Sequence, residues 1–159
     1  MTRVLVIYYS RTGNTEKMAK SVAEGARSGG AEVTVKRVEE TGLDDLLGSD
    51  GIIIGSPTYY GQMAAEVKRL FDSSSEVRGQ LENRVGAAFT SAASVGGGSQ
   101  TTILSILQAM LIHSMIVVGD PMEVGGHYGP IGVGEPDEEA LLACRKTGQR
   151  VAHLAKKLA

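Results

Sequence analysis

The sequence predicts a doubly wound α/β domain, a parallel sheet covered by helices on both faces. Short apolar segments alternate with amphipathic helical segments along the whole chain, and parallel strands that neighbour one another need helical crossovers. The first strand is a nearly continuous apolar run, as expected for a strand buried on both faces. We therefore predict five parallel strands in the order 2-1-3-4-5.

Each element has its own signal in the chain. The first strand stops at Ser10, and helical periodicity then runs to the pair Gly29-Gly30, a typical helix end. An alternating run and a short apolar run follow as the second and third strands. The predicted strands span residues 3–9, 31–37, 51–55, 84–91 and 114–118. The predicted helices span residues 15–28, 63–74, 99–113 and 136–157.

One connection is unusually long. Residues 119–136 follow the last predicted strand and contain most of the prolines and many of the 21 glycines of the chain. A loop of this length inside a compact domain is usually functional or mobile. We expect it to take part in the function.

Composition limits the classes of protein to consider. The 159 residues, with 42% hydrophobic and 21% charged side chains, are typical of one globular domain spanning 1–159. A net charge of -2 without a Lys/Arg block argues against nucleic acid and against an anionic membrane as partners. No His, Cys, Asp or Glu group has metal-ligand spacing, so we expect no metal site.

The single cysteine and the start of the chain favour the cytoplasm. Cys144 has no partner for an internal disulfide, and it lies on the apolar stripe of the last helix, where we expect a buried, inert thiol. The chain opens directly into a strand without a signal-peptide pattern, and no apolar run approaches the roughly 20 residues of a membrane span. We therefore expect a cytoplasmic protein.

The loop after the first strand predicts a phosphate site. It enters a helix, so backbone N–H groups at the helix N-terminus face outward, where an anion binds. Hydroxyl groups add donors and a glycine permits close approach. The pattern is neither a Walker loop nor a dinucleotide fingerprint, and an ordinary helix cap is the alternative. The residues are Ser10, Arg11, Thr12, Gly13, Asn14 and Thr15.

Two further loops follow neighbouring strands and are expected to meet the first at the carboxyl edge of the sheet. The second loop offers a rigid turn with two aromatic rings, either against a planar ligand or simply covering the sheet edge. The third offers small residues that let a flat heterocycle reach backbone N–H groups, unless it is only a flexible connection. Their predicted binding residues are Pro57, Thr58, Tyr59, Tyr60 and Gly61, then Ser91, Ala92, Ala93, Ser94, Val95 and Gly96.

These loops resemble those of known flavoproteins. The first loop resembles the flavodoxin pattern Thr/Ser-x-Thr-Gly-Asn-Thr, which binds the 5′-phosphate of FMN. Most of the chain resembles the WrbA-type NAD(P)H:quinone oxidoreductases of the flavodoxin-like superfamily, although it lacks Trp and the family's insertion between the second and third strands. The matching residues are Gly55, Pro57-Thr58, Gly61-x-Met63, Phe71-Asp72, Phe89, Gly96–Gly98, Gln100-Thr101, His113-x-Met115, Gly125-Gly126 and Tyr128-Gly129.

The resemblance implies a flavodoxin-like fold, FMN as cofactor, and NADH or NADPH as co-substrate. The implied reaction is a two-electron transfer from NAD(P)H to a quinone, and the enzyme would be an NAD(P)H dehydrogenase (quinone). A flavodoxin-type electron carrier is the alternative, although such carriers are usually far more acidic than this chain. Arg11 would neutralise the FMN phosphate, meet the 2′-phosphate of NADPH, or remain an ordinary exposed loop residue.

The candidate catalytic residues are His113, His127 and Tyr128. His127 and Tyr128 lie in the long loop, where we expect them to cover the flavin and meet a quinone oxygen. His113 ends the helix that follows the fourth strand, and we expect this end to lie at the edge of the sheet away from the flavin. The resemblance, however, implies a His near a flavin. We therefore predict a homodimer or homotetramer in which His113 reaches a neighbouring site. A capping His in a monomer is the alternative.

Overall fold

The computed structural model describes residues 1–159 and confirms the predicted topology. Five strands pair in the order β2-β1-β3-β4-β5, and every pairing is parallel. The strands are β1 (Arg3–Tyr8), β2 (Glu32–Arg37), β3 (Gly51–Pro57), β4 (Val85–Ala92), β5 (Ile116–Val117) and β6 (Ile131–Val133). The helices are α1 (Asn14–Ser28), α2 (Leu43–Leu47), α3 (Ala65–Ser73), α4 (Ser99–Ile112) and α5 (Glu138–Leu158).

The edge beside β4 differs from the prediction. The predicted fifth strand, 114–118, is reduced to the two residues of β5, which pair with Val85 and Gly86. The short strand β6 takes the other half of this edge and pairs with residues 90–92 of β4. Two segments thus share one strand position, and the chain between them forms a loop. Neither β6 nor the five-residue helix α2 is long enough to give a periodic signal.

The core lies on both faces of the sheet, as expected for buried parallel strands. Alternate residues of β1 point to opposite sides: Val4 and Val6 pack under α1 and α5, whereas Leu5 and Ile7 pack under α3 and α4. The first of these layers contains the fully buried Cys144, and burial raises the pKa of its thiol to about 12. The predicted burial of this cysteine is confirmed.

The direction of the strands positions the functional loops. Because all strands are parallel, the loops after β1, β3 and β4 leave from the same edge, which we call the carboxyl edge. The helices α1, α3, α4 and α5 begin at this edge and end at the opposite one. No helix of the structure combines the length and the apolar character that a membrane crossing requires.

Candidate functional site

A cavity of about 370 Å³ lies at the carboxyl edge, and we call it the first cavity. All three predicted loops contribute to it, and one unpredicted residue, Gly134, joins them from the turn after β6. The sequence therefore identified the loops that meet, although it could not show which of their residues face inward. The lining residues are Arg11, Thr12, Asn14, Thr15, Pro57, Thr58, Tyr59, Ser91, Ala92, Ala93 and Gly134.

The N-terminus of α1 opens towards this cavity. No acceptor within the chain takes the backbone N–H of Thr12, Asn14 or Thr15. Gly13, the N-cap, has a φ of 101°, a left-handed conformation that a side chain would strain. A helix N-terminus with unpaired N–H groups attracts an anion through both hydrogen bonds and the helix dipole.

Ser10 shapes this loop from behind. It is buried, and its Oγ accepts hydrogen bonds from the backbone N–H of Gly13 at 3.1 Å and of Glu16 at 3.3 Å. Ser10 is not among the residues that line the cavity, and its contact with a ligand stays a prediction. Its hydroxyl group fixes the turn that leaves the remaining N–H groups open.

Two pairs of hydrogen-bonded hydroxyl groups lie at the first cavity. Thr15 Oγ1 lies 2.7 Å from Ser91 Oγ, which links α1 to β4. Only one hydroxyl hydrogen is used between them, so one remains for a ligand acceptor. Thr90 Oγ1 donates to the carbonyl oxygen of Ser56 at 2.7 Å, so the hydroxyl of Thr58, 2.8 Å away, donates to Thr90. The oxygen of Thr58 therefore remains an acceptor.

The second loop is a tight turn that separates its two aromatic rings. Tyr59 and Gln62 exchange backbone hydrogen bonds of 3.1 and 3.0 Å, while Tyr60 and Gly61 both have positive φ. This is the geometry of a type I′ turn. It places Tyr59 in the cavity wall and leaves Tyr60 wholly exposed at the tip. Tyr60 and Gly61, although predicted as binding residues, do not line the cavity.

The third loop contributes only its first part. Ser91, Ala92 and Ala93 line the cavity, whereas the predicted residues Ser94, Val95 and Gly96 are exposed beyond it. The loop then turns back at Gly98, where a β-carbon would lie 2.7 Å from the α-carbon of Gly61. Gly98 and Gly61 therefore permit the close approach of the two loops.

The long loop does not cover the first cavity. His127 lines a second cavity of about 360 Å³ instead, and Tyr128 lines neither. The backbone N–H of His127 donates to Oδ1 of the buried Asp120 at 2.6 Å, and its Nδ1 lies 3.4 Å from Oδ2. The predicted covering of the first cavity by His127 and Tyr128 is not found in this arrangement.

His113 lies at the edge opposite the first cavity, where the direction of α4 predicts it. Its ring is buried, and because Ser74 Oγ donates to the carbonyl oxygen of Phe71, His113 Nε2 donates to Ser74 at 2.7 Å. Burial, and then the charge of Arg78, lowers the pKa of His113. Nδ1 has no partner. The ring is thus held inside its own subunit, and a role in a neighbouring site stays a prediction.

The first cavity combines three chemical features. Open N–H groups offer an anion site, Tyr59 offers an aromatic wall, and Arg11 supplies the one charged side chain of the lining. A ligand with a phosphate at one end and a flat ring at the other would satisfy all three. The fold is thus an α/β domain whose first cavity lies at the N-terminus of its first helix.

Comparison with known proteins identifies the family. A family model described as Flavodoxin matches residues 6–104. An NAD(P)H dehydrogenase (quinone) of Archaeoglobus fulgidus is 40% identical over 190 residues, which cover 99% of this chain and 100% of the relative. A flavodoxin of Aquifex aeolicus is 43% identical, over 96% of this chain and 86% of the relative. The chain belongs to the flavodoxin family, in the group that contains the NAD(P)H dehydrogenases (quinone).

Solved structures agree with this assignment. The flavodoxin, WrbA-like protein of Agrobacterium tumefaciens superposes with a TM-score of 0.87 at 28% identity, and the match covers 100% of both chains. A flavodoxin from the domain Archaea gives a TM-score of 0.80 at 26% identity and covers 98% of this chain and 99% of that one. The flavodoxin-like fold predicted from the sequence is confirmed.

Proposed function

We propose that this protein is an FMN-dependent oxidoreductase that transfers two electrons from NAD(P)H to quinones. The observation that carries the proposal is the single cavity that joins the open end of α1 to the aromatic wall at Tyr59. The full-length relatives named NAD(P)H dehydrogenase (quinone) supply the reaction class.

FMN fits the residues that are present. The unpaired N–H groups of Thr12, Asn14 and Thr15 form one compact phosphate cradle at the first cavity. A ring would lie between the second loop, at Pro57 to Tyr59, and the small residues of the third. Nothing in the lining is arranged to hold an adenosine, so we propose FMN rather than FAD. The cradle would have no partner in riboflavin, which lacks the phosphate.

The residues of the chain position the ligands and exclude water. Bound FMN supplies the group that accepts hydride from NAD(P)H and reduces a quinone. Thr15 and Ser91 would together offer one hydroxyl hydrogen to the phosphate, and the oxygen of Thr58 would accept from an N–H group of the ligand. Tyr59 shields one side of the cavity from solvent. The lining contains no Asp, Glu, His or Cys side chain, so we propose that positioning is the protein's main contribution.

An anaerobic titration tests the proposal. The FMN-loaded protein is mixed with NADH or NADPH, the visible flavin absorbance is followed, and benzoquinone is then added. We expect bleaching by a stoichiometric amount of at least one nucleotide and full recovery with one equivalent of quinone. Bleaching by dithionite but by neither nucleotide would contradict the proposal and favour the flavodoxin-type electron carrier.

We also propose a cytoplasmic homodimer or homotetramer. Support comes from apolar side chains of α4 and β5 that remain exposed, namely Leu111, Ile112 and Ile116. The surplus is smaller than the sequence suggests, because Ile103, Ile106, Leu107 and Met110 are buried in the subunit's own core. Sedimentation of the FMN-loaded protein at micromolar concentration should give a species larger than 16.7 kDa. A monomer with full quinone reductase activity would overturn this part.

A further inference from the structure

We propose that Arg11 is a specificity-determining residue that binds a phosphate monoester at the mouth of the first cavity. Two ligands of the proposed reaction carry this group: FMN has a 5′-phosphate and NADPH has a 2′-phosphate. The inference rests on the proposed function and deepens it, because it assigns a role to a side chain whose part in the site the sequence leaves open.

The charge of Arg11 is unbalanced within the chain. It is the one ionised side chain among the residues that line the first cavity. No carboxylate lies within salt-bridge distance of its guanidinium, whereas the nearby Lys17 pairs with Glu135 at 2.8 Å and Arg37 pairs with Glu39 at 3.4 Å. A cation left without an internal partner at a cavity mouth favours an anionic ligand there.

The side chain of Arg11 is also held in place. Its guanidinium carbon lies 5.3 Å from the centroid of the Tyr59 ring, so it crosses from the first loop to the second. Tyr59 is itself fixed by an edge-to-face contact with Tyr9, at 6.4 Å between ring centroids. This contact leaves the guanidinium N–H groups without an internal partner, and their fork geometry matches the spacing of phosphate oxygens.

The cradle at α1 leaves a charge for Arg11 to neutralise. A phosphate monoester carries about -1.5 to -2 charges at pH 7, whereas the end of a helix contributes only about half a positive charge. Glu16 of the first turn lies 3.4 Å from Lys20, so this ion pair adds no net charge near the site. Arg11 is therefore the residue of the first cavity that can complete the neutralisation.

The test replaces Arg11 and measures two ratios: the affinity for FMN relative to riboflavin, and kcat/KM for NADPH relative to NADH. Arg11→Gln removes the charge, Arg11→Lys keeps the charge but loses the fork, and Arg27→Gln removes an equal charge at the far end of α1 as the matched control. The dissociation constants of FMN and riboflavin are measured by quenching of flavin fluorescence. The kcat/KM values for NADPH and NADH are measured with saturating FMN and benzoquinone.

Each arm of the test identifies one source of the phosphate. If Arg11 binds the phosphate of FMN, Arg11→Gln lowers FMN affinity by about 10-fold to 100-fold and leaves riboflavin affinity unchanged. If Arg11 binds NADPH, the same variant lowers kcat/KM for NADPH by about 10-fold or more, while NADH and FMN affinity are unchanged. In either case we expect the affected ratio of Arg11→Lys to lie between those of the wild type and Arg11→Gln. The ratios of Arg27→Gln should match the wild type.

Two results would overturn the inference. One is that Arg11→Gln leaves both ratios at their wild-type values. The other is that Arg11→Gln weakens riboflavin binding as much as FMN binding and lowers kcat/KM for NADH as much as for NADPH. Arg11 would then only support the aromatic wall and would bind no phosphate. A wild-type protein that binds no FMN would overturn the proposed function as well, so the failure of the two proposals can be told apart.

Discussion

Two cavities of nearly equal volume lie at the carboxyl edge, about 370 and 360 Å³, yet their chemistry is opposite. The first is lined by Arg11, neutral hydroxyl groups and the open N-terminus of α1. The second is lined by the acidic side chains of Asp120, Asp137 and Glu139, with His127 at its rim. Volume alone does not distinguish them, whereas the charge of the lining favours an anion in the first and disfavours it in the second.

The two helix ends beside these cavities explain the difference. At α5, the carboxylate of Asp137 accepts the backbone N–H of Ala140 at 2.8 Å, so the helix is capped by its own negative charge. At α1, the neutral hydroxyl of Ser10 takes the corresponding role and accepts the N–H of Glu16. A helix capped by a carboxylate has less to gain from an anion than one capped by a hydroxyl group.

The largest effect is expected when the first cavity is made to resemble the second. Asn14→Asp adds a negative charge beside the phosphate cradle without changing the size of the side chain. We expect FMN affinity to fall by about 100-fold through charge repulsion, and the helix itself to gain about 0.3–1 kcal/mol. Riboflavin affinity should stay unchanged, and Asn14→Ala serves as the uncharged control. Unchanged FMN affinity in Asn14→Asp would place the phosphate elsewhere.

A smaller loss should follow from removing one hydroxyl group. Thr15→Val breaks the pair with Ser91 and takes away one donor, while it preserves the shape of the side chain. We expect FMN to bind about 10-fold more weakly, the value of one charge-assisted hydrogen bond at its lower limit. Thr147→Val, which removes a buried hydroxyl without a partner in α5, is the matched control. Equal losses in both variants would contradict a direct contact.

His113 tests whether the two edges of the sheet are independent. Its pKa is lowered in the folded protein by burial, so the unfolded chain binds the extra proton as the pH falls below about 6.5. Its contribution to stability is thus complete above that pH and is lost below it. Chemical unfolding should show a free energy that falls by up to about 1.4 kcal/mol per pH unit below 6.5.

The control for this pH dependence is His113→Gln, which keeps a donor for Ser74 and does not titrate. We expect its stability to change less with pH than that of the wild type. Asn14→Ala, at the other edge, adds no titratable group and should keep the wild-type dependence because distant sites act additively. A wild-type pH profile retained in His113→Gln would show that another group titrates.

The smallest effect concerns the cap of α5. Asp137→Ala removes the acceptor for the backbone N–H of Ala140, and we expect a loss of about 1 kcal/mol in the free energy of unfolding. FMN affinity should remain at the wild-type value, because the second cavity does not hold the phosphate in this account. A parallel loss of FMN affinity at full folding would show that the two cavities are coupled.

Local signals predicted the part of the site that lies on one continuous segment. The loop from Ser10 to Thr15 carries its strand end, glycine and helix start within six residues, so its place at the cavity could be predicted from the sequence. Gly134 could not, because it enters the cavity only through the three-residue strand β6. The orientation of Tyr59 and Tyr60 depends on a type I′ turn. The pair Tyr60-Gly61 does not predict this turn, because Asn-Gly or Asp-Gly is its usual sequence signal.

Long-range contacts decide which residues of the predicted loops lie outside the first cavity. His127 lies in a glycine-rich loop whose path depends on the buried carboxylate of Asp120, seven positions earlier in the chain. Ser94 and its neighbours extend past the cavity because the chain must return at Gly98, where it touches Gly61. Neither contact follows from composition or periodicity. The strand order, in contrast, follows from the alternation of elements and was predicted correctly.

The central claim is that the open end of α1 binds the phosphate of FMN, and the most direct measurement compares FMN with riboflavin on the wild-type protein. Titration by quenching of flavin fluorescence gives both dissociation constants under the same conditions. Loss of several charge-assisted hydrogen bonds predicts that riboflavin binds at least about 100-fold more weakly. Equal affinities for the two flavins would contradict the account.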